Sequence, residues 1–250
     1  MPTILITGCS SGFGLDTARH FLAKGWTVIA TMRTPKADLL PASDRLTILP
    51  LDVTDPASIA AAVAAAGEID VLVNNAGIGW LNAVEATPIS VVRDIFETNT
   101  IGTIAMIQAV LPQFRTRGAG VIINVTSSVT LKNYDLLSVY TASKAAVNAL
   151  TEVMALELAP FGIRSHIVLP GQAPGTAFSA NARNRLTQAG GFPEAYNDMI
   201  QAVFARLTSG ADEEKTRSED VVAAIWRVAN DPAAPMRIPA GADAVALFKG

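Results

Sequence analysis

Short runs of aliphatic and β-branched residues alternate along the chain with longer segments of helical pattern. The short runs are almost continuously apolar, which is typical of parallel strands covered by helices on both faces. This alternation predicts an α/β fold with one doubly wound, parallel sheet. We predict strands at residues 3–7, 27–31, 47–52, 70–74, 121–126 and 164–169, and helices at residues 14–24, 56–66, 90–115 and 140–159.

The alternation is interrupted after Leu169, where PGQAPGTAF has the composition of a loop. We predict a helical lid over residues 171–217, at the carboxyl end of the sheet, where ligands bind in such folds. Residues 180–209 indicate one or two helices, and residues 211–217 an exposed turn. Ser218 is a predicted N-cap of a further helix, and MRIPAGADAVALF supplies a final edge strand. We expect one domain over residues 1–250, with residues 1–170 as its cofactor-binding and catalytic core.

Composition disfavours several classes of partner. Of the 250 residues, 50% are hydrophobic and 16% charged, the net charge is −3, and no block of Lys or Arg occurs. Nucleic acid and membrane are therefore not expected partners, and no apolar run reaches the ~18 residues of a membrane-spanning helix.

MPTILITG is too short for a signal peptide, and a single cysteine, Cys9, fits a cytoplasmic location. With only two histidines, no metal site is predicted.

The first strand runs into TGCSSGFG, which places Gly8, Gly12 and Gly14 between a strand and a helix. Glycines there permit a tight turn and close approach of a diphosphate, and the helix N-terminus offers free N–H groups. The spacing is G-x-x-x-G-x-G rather than the usual dinucleotide fingerprint. A plain strand–helix turn is the alternative, but the context favours nucleotide binding.

Tyr140 and Lys144 stand four residues apart where a helix is predicted to begin, after a Thr-Ser-Ser cluster that ends a strand. Residues at this spacing share one helix face. Taken alone, the pair also fits an amphipathic surface. Together with the glycine loop, NNAG at residues 74–77, Asn99 and Ser127, however, the pair resembles the short-chain dehydrogenase/reductase family over residues 3 to about 176.

The resemblance implies a Rossmann-like domain with about seven parallel strands, dependence on NAD(P), and a catalytic set of Asn99, Ser127, Tyr140 and Lys144. It also implies a homodimer or homotetramer with helices 90–115 and 140–159 at the interface. The ending Gly241-Ala242-Asp243-Ala244 is similar to that of the hydroxysteroid- and retinol-type carbonyl reductases.

Each member of the catalytic set has an expected role. The Lys144 ammonium should lower the pKa of Tyr140 from its usual ~10, so that Tyr140 acts as general acid or base. Ser127, thirteen residues before Tyr140, is preferred over Ser128 as the group that binds the substrate oxygen. By resemblance, Lys144 also holds the nicotinamide ribose and Asn99 anchors a water molecule.

The cofactor is expected to be NADP(H) rather than NAD(H). Thr31 stands where NAD-preferring relatives carry an acidic residue, and Arg33 follows, suited to a 2′-phosphate; Ser11 replaces a second basic residue found in some relatives. Thr176 is one residue late for its family position, which leaves Gly175 as the alternative. The predicted cofactor-binding residues are Gly8, Ser10, Ser11, Gly12, Phe13, Gly14, Arg33, Asp52, Val53, Asn75, Ala76, Gly77, Tyr140, Lys144, Pro170, Gly171 and Thr176.

Large apolar residues near the predicted site indicate a bulky, largely hydrophobic ketone, aldehyde or alcohol as the small-molecule substrate. Core packing of the lid is the alternative for most of them. Two other functions stay open, a non-catalytic dinucleotide sensor and a lyase or epimerase on the same fold. The predicted substrate-binding residues are Trp80, Val129, Tyr134, Leu137, Phe178, Phe192 and Tyr196.

Overall fold

A seven-stranded parallel sheet forms the centre of the protein, in the order β3-β2-β1-β4-β5-β6-β7. The computed structural model describes residues 1–209 and 214–249. The predicted doubly wound parallel sheet is confirmed, because the order reverses between β1 and β4, the place where such folds bind their ligands. The strands are β1 (Thr3–Ile6), β2 (Thr27–Met32), β3 (Leu46–Pro50), β4 (Val71–Asn74), β5 (Gly120–Val125), β6 (Ile163–Pro170) and β7 (Arg237–Ala240).

Helices cover both faces of the sheet, and each face has its own apolar core. On one face α1 and α8 pack around Phe21 and Ile225. On the other, α2, α4 and α5 pack around Leu72 and Phe114. The helices are α1 (Gly12–Ala23), α2 (Pro56–Ala66), α3 (Ile89–Phe96), α4 (Gly102–Arg117), α5 (Ser138–Leu158), α6 (Phe178–Gln188), α7 (Asn197–Ser209), α8 (Ser218–Asn230) and α9 (Ala242–Lys249).

Three predictions about local structure need correction. The helix expected at residues 90–115 is interrupted by a π-helical turn, Glu97–Ile101, between α3 and α4. The C-terminal segment is only partly a strand, because β7 ends at Ala240 and Gly241, with φ of 100°, turns the chain into α9. Ser218 is the first residue of α8 rather than its N-cap, and its hydroxyl donates instead to Asp16 at 2.5 Å.

The predicted lid contains two helices, α6 and α7, separated by residues 189–196. The exposed turn predicted at residues 211–217 lies partly outside the described residues. Asn82 Nδ2 donates to the Gly191 carbonyl at 3.1 Å, and Tyr196 Oη donates to Glu85 at 2.9 Å. The lid therefore rests on the loop that follows β4, on the side of the sheet where the strands end.

Candidate active site

The glycine loop connects β1 to α1 in a conformation that requires glycine. Gly8 and Gly12 have φ of 77° and 57°, and a Cβ at Gly14 would lie 2.5 Å from the Gly8 carbonyl oxygen. Helix α1 begins at Gly12 with no acidic residue in its first turn. Its N-cap residue, Ser11, makes no side-chain cap hydrogen bond with the described residues. The open N–H groups and positive helix end fit the diphosphate of a dinucleotide.

The neighbouring predicted cofactor residues surround this loop. Ser10 and Ser11 are exposed at its tip, and Phe13 packs partly buried against the core. Cys9 is buried within the loop, and burial raises the pKa of its thiol to about 12. Val53 is buried against α4, because a Cβ at Gly102 would lie 2.9 Å from its Cγ2. The loop thus exposes hydroxyl groups and keeps the thiol buried and protonated at neutral pH.

Thr7 joins the end of β1 to the segment NNAG. Its hydroxyl accepts hydrogen bonds from the N–H groups of Asn75 at 3.0 Å and Ala76 at 2.9 Å. The Asn75 side chain in turn donates to the carbonyl oxygens of Thr7 at 2.9 Å and Gly8 at 3.2 Å. Thr7 was not among the site residues predicted from the sequence, although its place directly before Gly8 at a strand end was a usable signal.

Asn99 lies fully buried in the π-helical turn. Its Oδ1 accepts from the Ile78 N–H at 2.8 Å, and its Nδ2 donates to the Ile78 carbonyl at 3.0 Å and to Ser143 Oγ at 3.1 Å. Such turns occur frequently at functional sites, since they redirect one side chain without ending the helix. Here the turn brings Asn99 between the loop after β4 and helix α5.

Lys144 lies buried on α5, and its Nζ donates to the Val125 carbonyl at 3.0 Å. A Cβ at Gly77 would lie 3.2 Å from Asn99 Oδ1 and 3.3 Å from Lys144 Nζ, so both polar groups converge on this glycine. Burial lowers the pKa of Lys144 to about 8. The amine therefore exchanges its proton far more readily near neutral pH than an exposed lysine does.

Tyr140 is also buried, with 7% of its surface exposed. The expectation that Lys144 lowers its pKa is wrong for this structure, because burial raises the pKa of Tyr140 to about 12 and only a hydrogen bond with Ser127 opposes the rise. Removing a phenolate from water outweighs the nearby amine, which is itself desolvated and directed at a carbonyl. The phenol thus stays protonated at neutral pH.

Ser127 lies where β5 ends and a short 3-10 turn, Ser128–Thr130, begins. As N-cap of that turn, its hydroxyl accepts from the Val129 N–H at 3.3 Å, and it also bonds to Tyr140. The fold therefore brings Ser127, Tyr140, Lys144 and Asn99 together from three separate segments.

Arg33 directly follows β2 and is exposed. Thr31 is buried in the strand, where its hydroxyl donates to the Ile6 carbonyl at 2.9 Å. Asp52 Oδ1 accepts from the N–H of Thr54 at 2.9 Å and from its hydroxyl at 2.8 Å. These bonds hold the pKa of Asp52 below its usual value, and the charge of Arg33 contributes. Arg33 and Asp52 thus lie near each other at the carboxyl ends of β2 and β3.

Arg185, on lid helix α6, extends toward the same region. Burial lowers the pKa of Arg185, the positive charge of Arg33 lowers it further, and Asp94 acts in the opposite direction. Its Nη1 is buried and has no hydrogen-bond partner among the described residues. Sequence analysis did not assign Arg185 to the cofactor site, because more than 150 residues separate it from Arg33.

The lid begins at the end of β6, where Pro170 pairs with Ala240 of β7 and Gly171 follows. Thr176 lies against the glycine loop, since a Cβ at Gly12 would be 3.5 Å from its side chain. By contrast, nothing in the described residues lies within 4 Å of a Cβ at Gly175. Of the two alternatives that the sequence leaves open, Thr176 is the one beside the loop.

Most of the predicted substrate residues surround Tyr140. The Phe178 ring is 5.7 Å from the Tyr140 ring, centroid to centroid. Trp80 belongs to the same apolar cluster but is only 2% exposed, and its indole N–H donates to Thr87 at 3.0 Å. It therefore forms the base of the cluster rather than its surface. Val129, Leu137 and Phe192 pack partly buried around this cluster.

The two remaining tyrosines of the predicted set lie further out. Tyr134 is 36% exposed, with Lys132 Nζ 5.9 Å from its ring centroid. Tyr196, in the segment between the two lid helices, packs partly buried beside Leu136 and Ile200. Leu136 has a positive φ of 65°, which is rare for a leucine. This strained residue lies two positions before α5, the helix that carries Tyr140.

Comparisons with known proteins agree with this geometry. A family model described as short chain dehydrogenase matches residues 2–187. The chain is 36% identical over 236 residues to an uncharacterised oxidoreductase, YusZ, of Bacillus subtilis, which covers 90% of this chain and 83% of that protein. It is 33% identical to human retinol dehydrogenase 8, covering 94% of this chain and 80% of that protein.

Solved structures of short-chain dehydrogenases are also similar to this chain. A short-chain dehydrogenase from Streptomyces avermitilis superimposes with a TM-score of 0.82 at 33% identity, covering 100% of this chain and 91% of that one. A short chain dehydrogenase from Burkholderia cenocepacia in complex with NADP superimposes with a TM-score of 0.78 at 27% identity, and the match covers 100% of this chain and 92% of that one. Within the described ranges, no helix has the length and hydropathy to cross a membrane. The chain belongs to the short-chain dehydrogenase/reductase family of oxidoreductases.

Proposed function

We propose that the protein is an NADP(H)-dependent carbonyl reductase or alcohol dehydrogenase acting on a bulky, largely hydrophobic substrate. The observation that carries the proposal is the convergence of Ser127, Tyr140, Lys144 and Asn99 beside an open glycine loop. A sensor would need the loop but not the hydroxyl pair. A lyase or epimerase stays an alternative, which the relation to retinol dehydrogenase 8 disfavours.

The protein's own groups supply the acid and the orientation for this reaction. A bound nicotinamide dinucleotide supplies hydride in the reductive direction. With its pKa at about 12, Tyr140 holds its proton at neutral pH and can donate it to a carbonyl oxygen. Ser127 binds the same oxygen and orients it. Lys144, with its pKa at about 8 and its Nζ beside Gly77, is a second group that can exchange a proton near neutral pH.

Two arginines support NADP(H) over NAD(H). Arg33 directly follows β2, two residues after Thr31, which stands where NAD-preferring relatives carry an acidic residue, and a guanidinium pairs well with a phosphate. Arg185 contributes a second positive charge in the same region, with an Nη1 that lacks a partner among the described residues. The Burkholderia cenocepacia relative was solved in complex with NADP, which supports a nicotinamide dinucleotide as the cofactor.

The substrate class rests on the apolar cluster around Tyr140. Phe178, at 38% exposure, faces the phenol ring from the lid. Val129 and Leu137 contribute further apolar surface close to the reacting hydroxyl. An apolar cluster of this kind beside the phenol favours a large, weakly polar ketone, aldehyde or secondary alcohol.

Assembly into a homodimer or homotetramer and a cytoplasmic location stay predictions. Leu156 and Val153 on α5 are 77% and 58% exposed, and Ile101 beside α4 is 48% exposed. Apolar side chains so placed on the two helices predicted for the interface support self-association.

The proposal is tested by measuring the oxidation of NADPH, and of NADH in parallel, in the presence of each member of a panel of aryl, cyclic and steroidal ketones. We expect turnover with NADPH preferred, and a loss of about 10²- to 10⁴-fold in Tyr140→Phe with NADPH binding retained. Undiminished turnover in Tyr140→Phe would exclude the mechanism. Tight NADPH binding without turnover of any ketone would favour the sensor.

A further inference from the structure

Both ends of the lid meet at one buried hydroxyl. The N–H of Gly171, the first lid residue, donates to Thr216 Oγ1 at 2.9 Å. Thr216 is the last but one residue of the lid segment and is only 3% exposed. Segments 45 residues apart in sequence are therefore joined directly at the end of β6.

Asp243, in the first turn of α9, completes this junction. The Thr216 hydroxyl lies 2.6 Å from Asp243 Oδ1 and 2.8 Å from the Ala240 carbonyl, and can donate to either. The other carboxylate oxygen, Oδ2, accepts from the Gln172 N–H at 2.7 Å. One carboxylate thus contacts the lid at its beginning through Gln172 and at its end through Thr216. We call these four residues, Gly171, Gln172, Thr216 and Asp243, the lid clasp.

Close packing around the lid clasp requires glycine at two positions. A Cβ at Gly171 would overlap the Asp243 carboxylate, and a Cβ at Gly241 would overlap the Thr216 hydroxyl. Gly241 also has a φ of 100°, a value that side chains rarely adopt. Two glycines therefore allow the hydroxyl and the carboxylate to approach the backbone closely.

The clasp also lies next to the site itself. Gly171 directly follows Pro170, and the lid continues from there to Thr176 beside the glycine loop. On its other side, burial raises the pKa of Tyr134 and the negative charge of Asp243 raises it further, so this carboxylate lies near the predicted substrate region. A shift of Gly171 would therefore move groups that face the cofactor.

We propose that Thr216 and Asp243 are positioning residues, which hold both ends of the lid and thereby set the backbone from Pro170 to Thr176 against the bound cofactor. The inference rests on the proposed function for the identity of that cofactor. The positions of the lid ends in the cofactor-free protein do not depend on the proposed function.

Two measurements on Thr216→Val, Thr216→Ser and Asp243→Asn test the clasp. The first is amide hydrogen exchange of residues 171–177 without cofactor, and the second is the NADPH dissociation constant by titration of protein fluorescence. Thr187→Val is the control, because among the described residues its hydroxyl bonds within α6, to the Arg183 carbonyl at 3.1 Å.

We expect Thr216→Val to weaken NADPH binding about tenfold, the effect of one lost buried hydrogen bond, and to speed exchange at residues 171–177. In Thr216→Ser, the NADPH dissociation constant and the exchange rate should both return to the wild-type values. Asp243→Asn should give values between those of the wild type and Thr216→Val, and Thr187→Val should match the wild type. Unchanged exchange in Thr216→Val and in Asp243→Asn would overturn the proposal. A wild type that binds no NADPH would refute the proposed function, and the exchange data would still decide on the clasp.

Discussion

Asn99 and Ser143 are joined by a hydrogen bond of 3.1 Å, from the amide Nδ2 to the hydroxyl Oγ. The bond links the π-helical turn to helix α5 at the residue directly before Lys144. Because the same amide also pairs with both backbone groups of Ile78, one side chain sets the distance between the loop after β4 and the helix that carries Tyr140.

Replacing Asn99 by alanine should therefore affect both stability and catalysis. The variant leaves the partly buried backbone groups of Ile78 without their side-chain partners, which costs about 1–3 kcal/mol of unfolding free energy. We also expect at least about a tenfold loss of kcat, since Lys144 loses its neighbour at Gly77. Urea unfolding and steady-state kinetics measure the two effects.

Asn124→Ala is the control for Asn99→Ala, because the Asn124 side chain is equally buried and, within the described part of the chain, bonds to Asn74 and Thr151 instead. It should lose stability and keep most of its kcat. Equal losses of kcat in the two variants would show that Asn99 acts through stability alone.

Burial of Lys144 predicts a specific dependence of stability on pH in the cofactor-free protein. Its pKa is about 8 when folded against 10.5 for the free side chain, so between these values the unfolded chain binds more protons, and the unfolding free energy rises with pH. Below pH 8 the penalty is fully present and amounts to about 3 kcal/mol. Lys144→Met lacks this penalty.

Urea unfolding of wild type and Lys144→Met at pH 7, 8, 9 and 10 measures the effect of that burial. The difference in unfolding free energy should change in favour of the wild type as the pH rises. Titration of Tyr140 is common to both proteins and cancels in the difference. Parallel curves over the whole range would mean that Lys144 is not desolvated in the folded protein.

The adjacent residues Ser127 and Ser128 can be compared to test which hydroxyl binds the substrate oxygen. Ser127→Ala removes the group that bonds to Tyr140, and we expect kcat/KM to fall by about 10²-fold, as when one oxyanion donor is removed. Ser128→Ala removes a neighbouring hydroxyl that is equally buried and should change kcat/KM less than about threefold. The reverse order would assign the role to Ser128.

Removal of Arg33 should lower NADPH affinity selectively. A guanidinium–phosphate pair contributes about 1.5–3 kcal/mol, so Arg33→Ala is expected to weaken NADPH binding by about ten- to a hundredfold. NADH lacks the 2′-phosphate and serves as the internal control, with little change in its affinity. Fluorescence titration with both dinucleotides measures the ratio.

Arg185→Ala tests whether the lid contributes to the same preference. We expect a smaller loss of NADPH affinity than in Arg33→Ala, because Arg185 is carried by the lid rather than by the sheet. The loss should diminish at high salt, as screening weakens both arginines. An equal loss for NADH would instead indicate a general effect of the lid on binding.

Much of the architecture follows from local patterns in the sequence. Apolar runs such as VLVN at β4, and glycines at the first strand–helix turn, require a buried strand and a tight turn whatever their neighbours are. Spacing along one helix likewise places Tyr140 and Lys144 on a common face. By contrast, the π-helical turn at Asn99 has no local signal, because it depends on bonds to Ile78 and Ser143.

By itself, then, the sequence determined the doubly wound sheet, the glycine loop and the family of the chain, because local apolar runs, the glycine spacing and the order of short motifs along the chain indicate them directly. Only the tertiary structure decided the proton affinities and the long-range partners. The pKa of Tyr140 rises because other segments bury it. Arg185 approaches Arg33, and Asp243 reaches Thr216, because the sheet brings its strand ends together. Desolvation and contact across many residues depend on the folded environment, which no local spacing encodes.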